Sequence, residues 1–432
     1  MAMTVPDRPR TRRPRPLTIV VVGVIVLIVA AALLATPPAW FPNAGPAAVS
    51  IEPTEAPGGQ VTMFTITVAG GRGGRLSLET TAIAIEGGMA RSELNWSFPR
   101  SPWSIGLLPS PFANSTNLTV QPAGAGPATR IAVTVTPAGT GQLVDGGEAL
   151  DRERRLTDPA SGYIRRVTGH PNLERAARFF EGEFRSFGLE TRLDRYPLSA
   201  GLLDPWGRVV VNVVATKWGA DRSRWIVLGA HFDSASTTIQ GAYDDGLGSN
   251  IVVTLAKSLA AVETNHTIVF VLFSGEEEGL QGSEEYVKTI PSDVTVTAYL
   301  NHDMVGINWP APFTFHALIG PDEDDTVVEH PELVNLTFRA VHDFLGLPRE
   351  EFNVTEHPRT RSDHVSFWSI GTSTVNFKGG MDAYPGYHTP DDTFDNMVQV
   401  SGGEDVLRQS IHHQLWISVA SILLLDDSPG PM

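Results

Sequence analysis

Hydrophobic and polar positions along the 432-residue chain change their rhythm several times. Residues 17–35, LTIVVVGVIVLIVAAALLA, are an unbroken apolar run without a charge, and residues 36–48 (TPPAWFPNAGPAA) follow as a Pro/Ala-rich spacer. From 49 to 138, short segments such as QVTMFTITV, RLSLETTAIAI, TNLTVQP and RIAVTVTP alternate apolar with polar residues, separated by Gly, Pro and Ser. A period of two belongs to strands with one buried and one wet face, so this stretch predicts a small β-sandwich of the immunoglobulin-like kind. The glycine-rich residues 139–150 (GTGQLVDGGEAL) read as a linker. Beyond it the period turns helical: in PNLERAARFFEGEFRSFG, Leu173, Ala177, Phe180, Phe184 and Phe187 fall on one stripe, and Gly188 supplies a stop. Four continuous apolar runs follow, in VVVNVVAT, RWIVLGAHFD, HTIVFVLFSGEE and VTVTAYLNHDM. Strands covered on both faces have no reason to alternate. Residues 151–432 are therefore expected to form an α/β domain, a mostly parallel twisted sheet with helices such as LGSNIVVTLAKSLAAV on both faces.

Composition narrows the possibilities. There is no cysteine, which excludes disulfides and thiolate metal sites. The formal charge of −16 is unevenly spread, because residues 1–16 carry five Arg against one Asp. The acidic remainder argues against nucleic acid as a partner, since phosphates would be repelled. At 1.5 Å per residue the apolar run after the basic tail nearly spans a ~30 Å hydrocarbon core. Arginines before it, with Trp40 and Phe41 beyond it, predict a single-pass anchor with a cytoplasmic N-terminus and an extracellular body. A cleaved signal peptide is the alternative, disfavoured by the length of the run.

The chemistry sits where the apolar runs stop. His231 and Asp233 end one run, Glu276 and Glu277 another, and Asp303 a third. Asp244 and Asp245 lie in the loop before a helix, and His388 follows the run TSTVNF. In a parallel sheet these positions converge on the rim beyond the carboxyl ends of the strands. Singly each pattern is ordinary: His-x-Asp is commonly a polar pair, a glutamate run a helix start, and Asp-Asp-Gly a turn. Together they form a carboxylate cluster that repels itself unless a cation neutralises it, and imidazole with carboxylate suits Zn²⁺.

In their order, GAHFDS, GAYDDGLGSN, FSGEEEGLQGS, NHDM, SDHVSF and GYHTPDDT resemble the di-zinc exopeptidases that include bacterial leucyl aminopeptidases, glutamate carboxypeptidase and the glutaminyl cyclases. The resemblance covers about residues 150–425 and implies a zinc exopeptidase-like fold with two Zn²⁺ ions per chain. It implies that Asp244 bridges the ions, with His231 and Glu277 completing one, and Asp303 and His388 the other. Glu276 becomes the general base, Asp233 the partner that orients the His231 ring, and the Asp244–Asp245 peptide cis. Glu278 has no role in this scheme. His302 is read as structural; Asp363 and His364 either touch the pocket or belong to a helix capped by Ser362, the structural reading being preferred; His412 and His413 are read as surface residues. The leading function is an aminopeptidase acting on peptides with a free N-terminus. Only Arg359, Arg361 and Lys378 stand near the motifs to grip a terminal carboxylate. A carboxypeptidase, a glutaminyl cyclase and an inactive receptor-like interaction domain are the alternatives.

Overall fold

The computed structural model describes residues 48–124, 127–136, 143–198, 208–307, 315–318, 331–348, 352–355, 362–379 and 384–427. Ten strands come first. They are β1 (Val49–Glu52), β2 (Glu55–Pro57), β3 (Thr62–Val68), β4 (Arg72–Leu78), β5 (Ala82–Glu86), β6 (Met89–Arg91), β7 (Asn95–Arg100), β8 (Trp103–Pro109), β9 (Ser115–Pro122) and β10 (Thr129–Thr136). They form two five-stranded sheets, β1-β3-β8-β5-β6 and β2-β10-β9-β4-β7. Alternation decides which side chains point inward: Phe64, Ile66 and Val68 of β3 are buried with Leu76, Leu107, Leu118 and Val120 between the sheets.

The end of the stretch read as a linker, residues 146–150, begins a core helix, α1 (Gly146–Thr157). Asp145 caps it by accepting the Gly147 N–H at 2.8 Å, and Ala149, Leu150 and Leu156 are buried. Gly146 is there for close approach rather than flexibility. A Cβ on it would lie 2.7 Å from the Arg408 carbonyl oxygen, in the last helix.

The remaining helices are α2 (Pro171–Ser186), α3 (Leu247–Ala260), α4 (Gln281–Lys288), α5 (Pro331–Phe338), α6 (His364–Trp368), α7 (Phe394–Val400) and α8 (Glu404–Asp426). The strands are β11 (Glu190–Pro197), β12 (Val209–Lys217), β13 (Asp221–His231), β14 (His266–Phe273), β15 (Thr295–His302), β16 (Phe315–Leu318), β17 (Phe352–Thr355) and β18 (Thr374–Gly379). They make one eight-stranded sheet in the order β11-β12-β14-β13-β15-β18-β16-β17. Its centre, β14-β13-β15-β18, is parallel. β12 runs antiparallel to both neighbours, and β16 antiparallel to β18. The unbroken apolar run of β12 thus reflects burial on both faces, which does not require parallel pairing. Along β13, Ile226, Leu228 and Ala230 face the core shared with α1, α2, α3 and α8, while Trp225 and Val227 face that under α4 and α6.

The membrane-anchored architecture and the extracellular single-pass placement are corrected here. No helix among the described residues is long and apolar enough to cross a membrane, and residues 17–35 lie outside them. The longest helix among the described residues, α8, is a protein-core helix that carries Glu404, Asp405, Arg408 and Asp426.

The sandwich is joined to the α/β domain through a common core. Ile83, Ala90 and Leu108 share one buried cluster with Leu415, Trp416 and Leu424 of α8. Gly59 makes room for the Trp416 ring, which would lie 2.6 Å from a Cβ there. Asp427 accepts hydrogen bonds from the Ser92 N–H at 2.7 Å and the Arg91 guanidinium at 3.2 Å. His412 and His413, expected on the surface, pack against Phe112 of the sandwich, and burial lowers the pKa of both, that of His413 to about 4. Trp416→Ala is expected to cost about 3–5 kcal/mol in denaturant unfolding. A loss below about 1 kcal/mol would mean that this joint is not held by packing.

Candidate metal centre

Because the central strands are parallel, their carboxyl ends meet at one edge and bring the motif residues with them. His231 closes β13, Glu276 and Glu277 follow β14, and Asp303 follows β15. The aspartate pair sits at the entry to α3, whose start lies so close that a Cβ on Gly248 would be 2.0 Å from the His302 carbonyl oxygen and 2.4 Å from Asp245 Oδ1. The Asp244–Asp245 peptide is cis.

The distances regroup the donors. His231 Nε2 lies 3.2 Å from Asp244 Oδ1 and 3.8 Å from Asp303 Oδ1. His388 Nε2 lies 3.2 Å from Asp244 Oδ2 and 3.2 Å from Glu277 Oε2. His231 is therefore grouped with Asp303, and His388 with Glu277, in place of the expected pairs His231/Glu277 and Asp303/His388. Asp244 turns one oxygen to each group. Donor atoms of Asp244, Glu277 and His388 lie within 4.8 Å of one another, as do those of His231, Asp245 and Asp303. Asp245, to which the sequence assigned no role, enters the second set.

This arrangement asks for positive charge. The buried Asp245 Oδ2 and Glu277 Oε1 have no hydrogen-bond partner, a costly state for carboxylate oxygens. Burial, reinforced by Asp244, pushes Glu277 up to about 8. Burial also raises Glu276 well above the usual carboxylate range, with Asp303 and Asp363 adding to the effect and His231 opposing it. For His231, burial works downward, but Glu276, Asp233, Asp244 and Asp303 outweigh it and raise the imidazole. Imidazole nitrogens and carboxylate oxygens at this spacing fit divalent ions such as Zn²⁺.

Supporting contacts orient the donors. Asp233 Oδ1 is 3.4 Å from His231 Nδ1, while its Oδ2 accepts the Gly275 N–H at 2.9 Å and the Glu277 N–H at 3.3 Å. One carboxylate thus ties the His231 ring to the turn that presents both glutamates. Asp392, missed in the sequence though it lies within the GYHTPDD motif, accepts the Tyr243 N–H at 2.9 Å and the Asp244 N–H at 3.2 Å. Glu278 turns toward Arg208 at 3.7 Å. His302 points into the core, its Nε2 2.8 Å from Ser418 Oγ.

The SDHVSF motif needs correction. Ser362 Oγ does not cap α6; it accepts the Asn301 amide at 2.6 Å and also hydrogen-bonds Asp303. Asp363 is fully buried, both its oxygens lack a hydrogen-bond partner, and burial pushes it up to about 7, opposed by His231. It belongs to the electrostatic surroundings of the site. Burial lowers His364 to about 3, with Asp303 opposing this. Lys378 acts on both Asp303 and His364, and Arg359 and Arg361 lie outside the described residues.

Residues 212–404 match the family model of peptidase family M28. Leupeptin-inactivating enzyme 1 of Streptomyces exfoliatus is 28% identical over 221 residues, which cover 50% of this chain and 45% of that protein. Leucine aminopeptidase 2 of Trichophyton rubrum is 39% identical over 101 residues, 23% of this chain and 20% of the relative. The chain thus spans less than half the length of these curated relatives. In fold it is similar to BSAP, a zinc aminopeptidase from Bacillus subtilis, with a TM-score of 0.54 and 15% identity over 65% of this chain and 94% of that one. It is also similar to the glutaminyl cyclase of Porphyromonas gingivalis, with a TM-score of 0.51 and 18% identity over 64% and 99% of the two chains. The sheet edge that gathers these imidazole and carboxylate groups lies in the part of the chain that is similar to peptidase family M28.

Proposed function

We infer that this protein is a zinc-dependent aminopeptidase that removes N-terminal residues from peptides. The observation that carries the reading is the placement of Asp244, with one oxygen 3.2 Å from His231 and the other 3.2 Å from His388. Such a carboxylate suits a bridge between two ions, and would screen their repulsion. His231 and Asp303 would hold one Zn²⁺, and Glu277 and His388 the other. Zinc bound there supplies a Lewis acid for the scissile carbonyl and acidifies water.

The chain's own groups supply the proton transfers. Glu276, beside Glu277 on the turn fixed by Asp233, takes the proton of the attacking water and delivers it to the leaving amine. Asp233 holds the His231 ring in one orientation. The surplus of carboxylates suits the α-ammonium of a peptide with a free N-terminus. The named aminopeptidases among the relatives support the same reading.

The test is zinc analysis of the purified chain together with Leu-, Glu- and Gln-initiated peptides, each with a free and an acetylated N-terminus. Zinc in the protein and stepwise cleavage of the free forms alone are expected. Equal cleavage of both forms from the carboxyl end would make it a carboxypeptidase. Ammonia released from Gln peptides without cleavage would make it a cyclase.

A further inference from the structure

We propose that Arg166 is a positioning residue that sets the spacing between the two halves of the metal centre. The proposal rests on the metal-binding reading above. Arg166 lies outside the matched residues 212–404 and outside every motif in the sequence. It is nevertheless one of the largest side chains with no solvent exposure.

Its guanidinium spends its donors on backbone. Nε donates to the Phe232 carbonyl at 2.6 Å, Nη1 to the Gln240 carbonyl at 2.7 Å, and Nη2 to the Gly241 carbonyl at 2.8 Å. Phe232 stands between His231 and Asp233, and Gly241 begins the turn that ends in Asp244. One rigid planar fork therefore clamps both ends of the loop that separates His231 from Asp244. The strands hold His231 in place through β13, but nothing in the sheet holds Asp244. The Arg166 backbone adds to the clamp, because its carbonyl accepts the Ser234 N–H at 3.2 Å, and Arg165 N–H donates to the Ile239 carbonyl at 2.8 Å.

The charge is also accounted for. Glu153 on α1 is fully buried, accepts the Asn250 amide at 2.8 Å and interacts electrostatically with Arg166. Asp392, Asp233 and Asp245 face the same cation. Arg166 is thus a fixed positive group beneath the carboxylates, with three carbonyl contacts that a lysine cannot reproduce.

The experiment compares Arg166→Lys and Arg166→Ala with the wild-type chain. It reads the thermal transition of the metal-free proteins, zinc affinity by competition with a chelator, and zinc affinity of Arg166→Ala with added millimolar guanidinium. Both variants are expected to fold and to bind zinc roughly 10–100-fold more weakly, the range for residues that orient metal ligands. Guanidinium is expected to restore part of the affinity in Arg166→Ala. Folded variants with wild-type zinc affinity would overturn the proposal. So would variants that both fail to fold without metal, since Arg166 would then be a residue of the fold alone. If the wild-type chain itself binds no zinc, the metal-binding reading has failed instead, and the wild-type measurement tells the two failures apart.

Discussion

Glu276→Gln is expected to retain zinc and the native fold while losing roughly 10²–10⁴-fold in turnover, the range for a positioned acid–base group. Glutamine preserves size and leaves the turn intact, because Gly279 and Leu280 N–H groups bond the backbone carbonyl of residue 276 rather than its side chain. What it removes is the ability to accept a proton at that point. Glu277 cannot substitute, since its carboxylate lies 3.2 Å from His388 Nε2 within the donor set. The measurements are kcat on a peptide with a free N-terminus and zinc content of the same preparation. Turnover within a few-fold of wild type would move the base elsewhere. Asp363, buried and without a hydrogen-bond partner on either oxygen, would then be the first carboxylate to examine.

The second large effect is on metal content. Asp244→Ala is expected to lose both ions, because its two oxygens face the two donor groups. The regrouped geometry adds a sharper expectation. His231→Ala and Asp303→Ala should lose the same ion, and Glu277→Ala and His388→Ala the other. Double variants within a group should then hold as much zinc as either single one. Double variants across groups, such as His231→Ala with Glu277→Ala, should hold almost none, so that losses add across groups and fail to add within one, as for residues that share a partner. Full zinc content in Asp244→Ala would sink the bridge, and loss of one ion jointly by His231 and Glu277 variants would restore the original pairing.

Prediction from pattern worked where the cause is local. The side chains of TMFTITV alternate because a strand has two faces, and Phe64, Ile66 and Val68 are buried whatever the partner strands are. The stripe of Leu173, Ala177, Phe180 and Phe184 is buried for the corresponding helical reason, and Gly188 ends that segment at φ 81°. The motif residues could be read as a set because each follows a continuous apolar run, and parallel strands carry their ends to one edge.

Contacts between distant segments were not readable in this way. Period and composition do not say which imidazole faces which carboxylate, and the regrouping of His231 with Asp303 came only from distances across three strand ends. The antiparallel course of β12 was hidden because two-sided burial produces the same apolar run in either direction. Gly146 and Gly147 look like flexible linker residues in sequence; only the proximity of α8 shows that α1 starts there so that two helices can touch. His412 and His413 gave no sign of Phe112, which lies far away in the chain. Arg166 was invisible for the same reason. An arginine pair among ordinary residues carries no pattern, and the three acceptors of Arg166 are backbone carbonyls, which every residue possesses. Local periodicity thus determined which faces are buried and which strand ends carry chemistry, while the fold decided the partners, because pairing energy depends on distances that close only when the chain is folded.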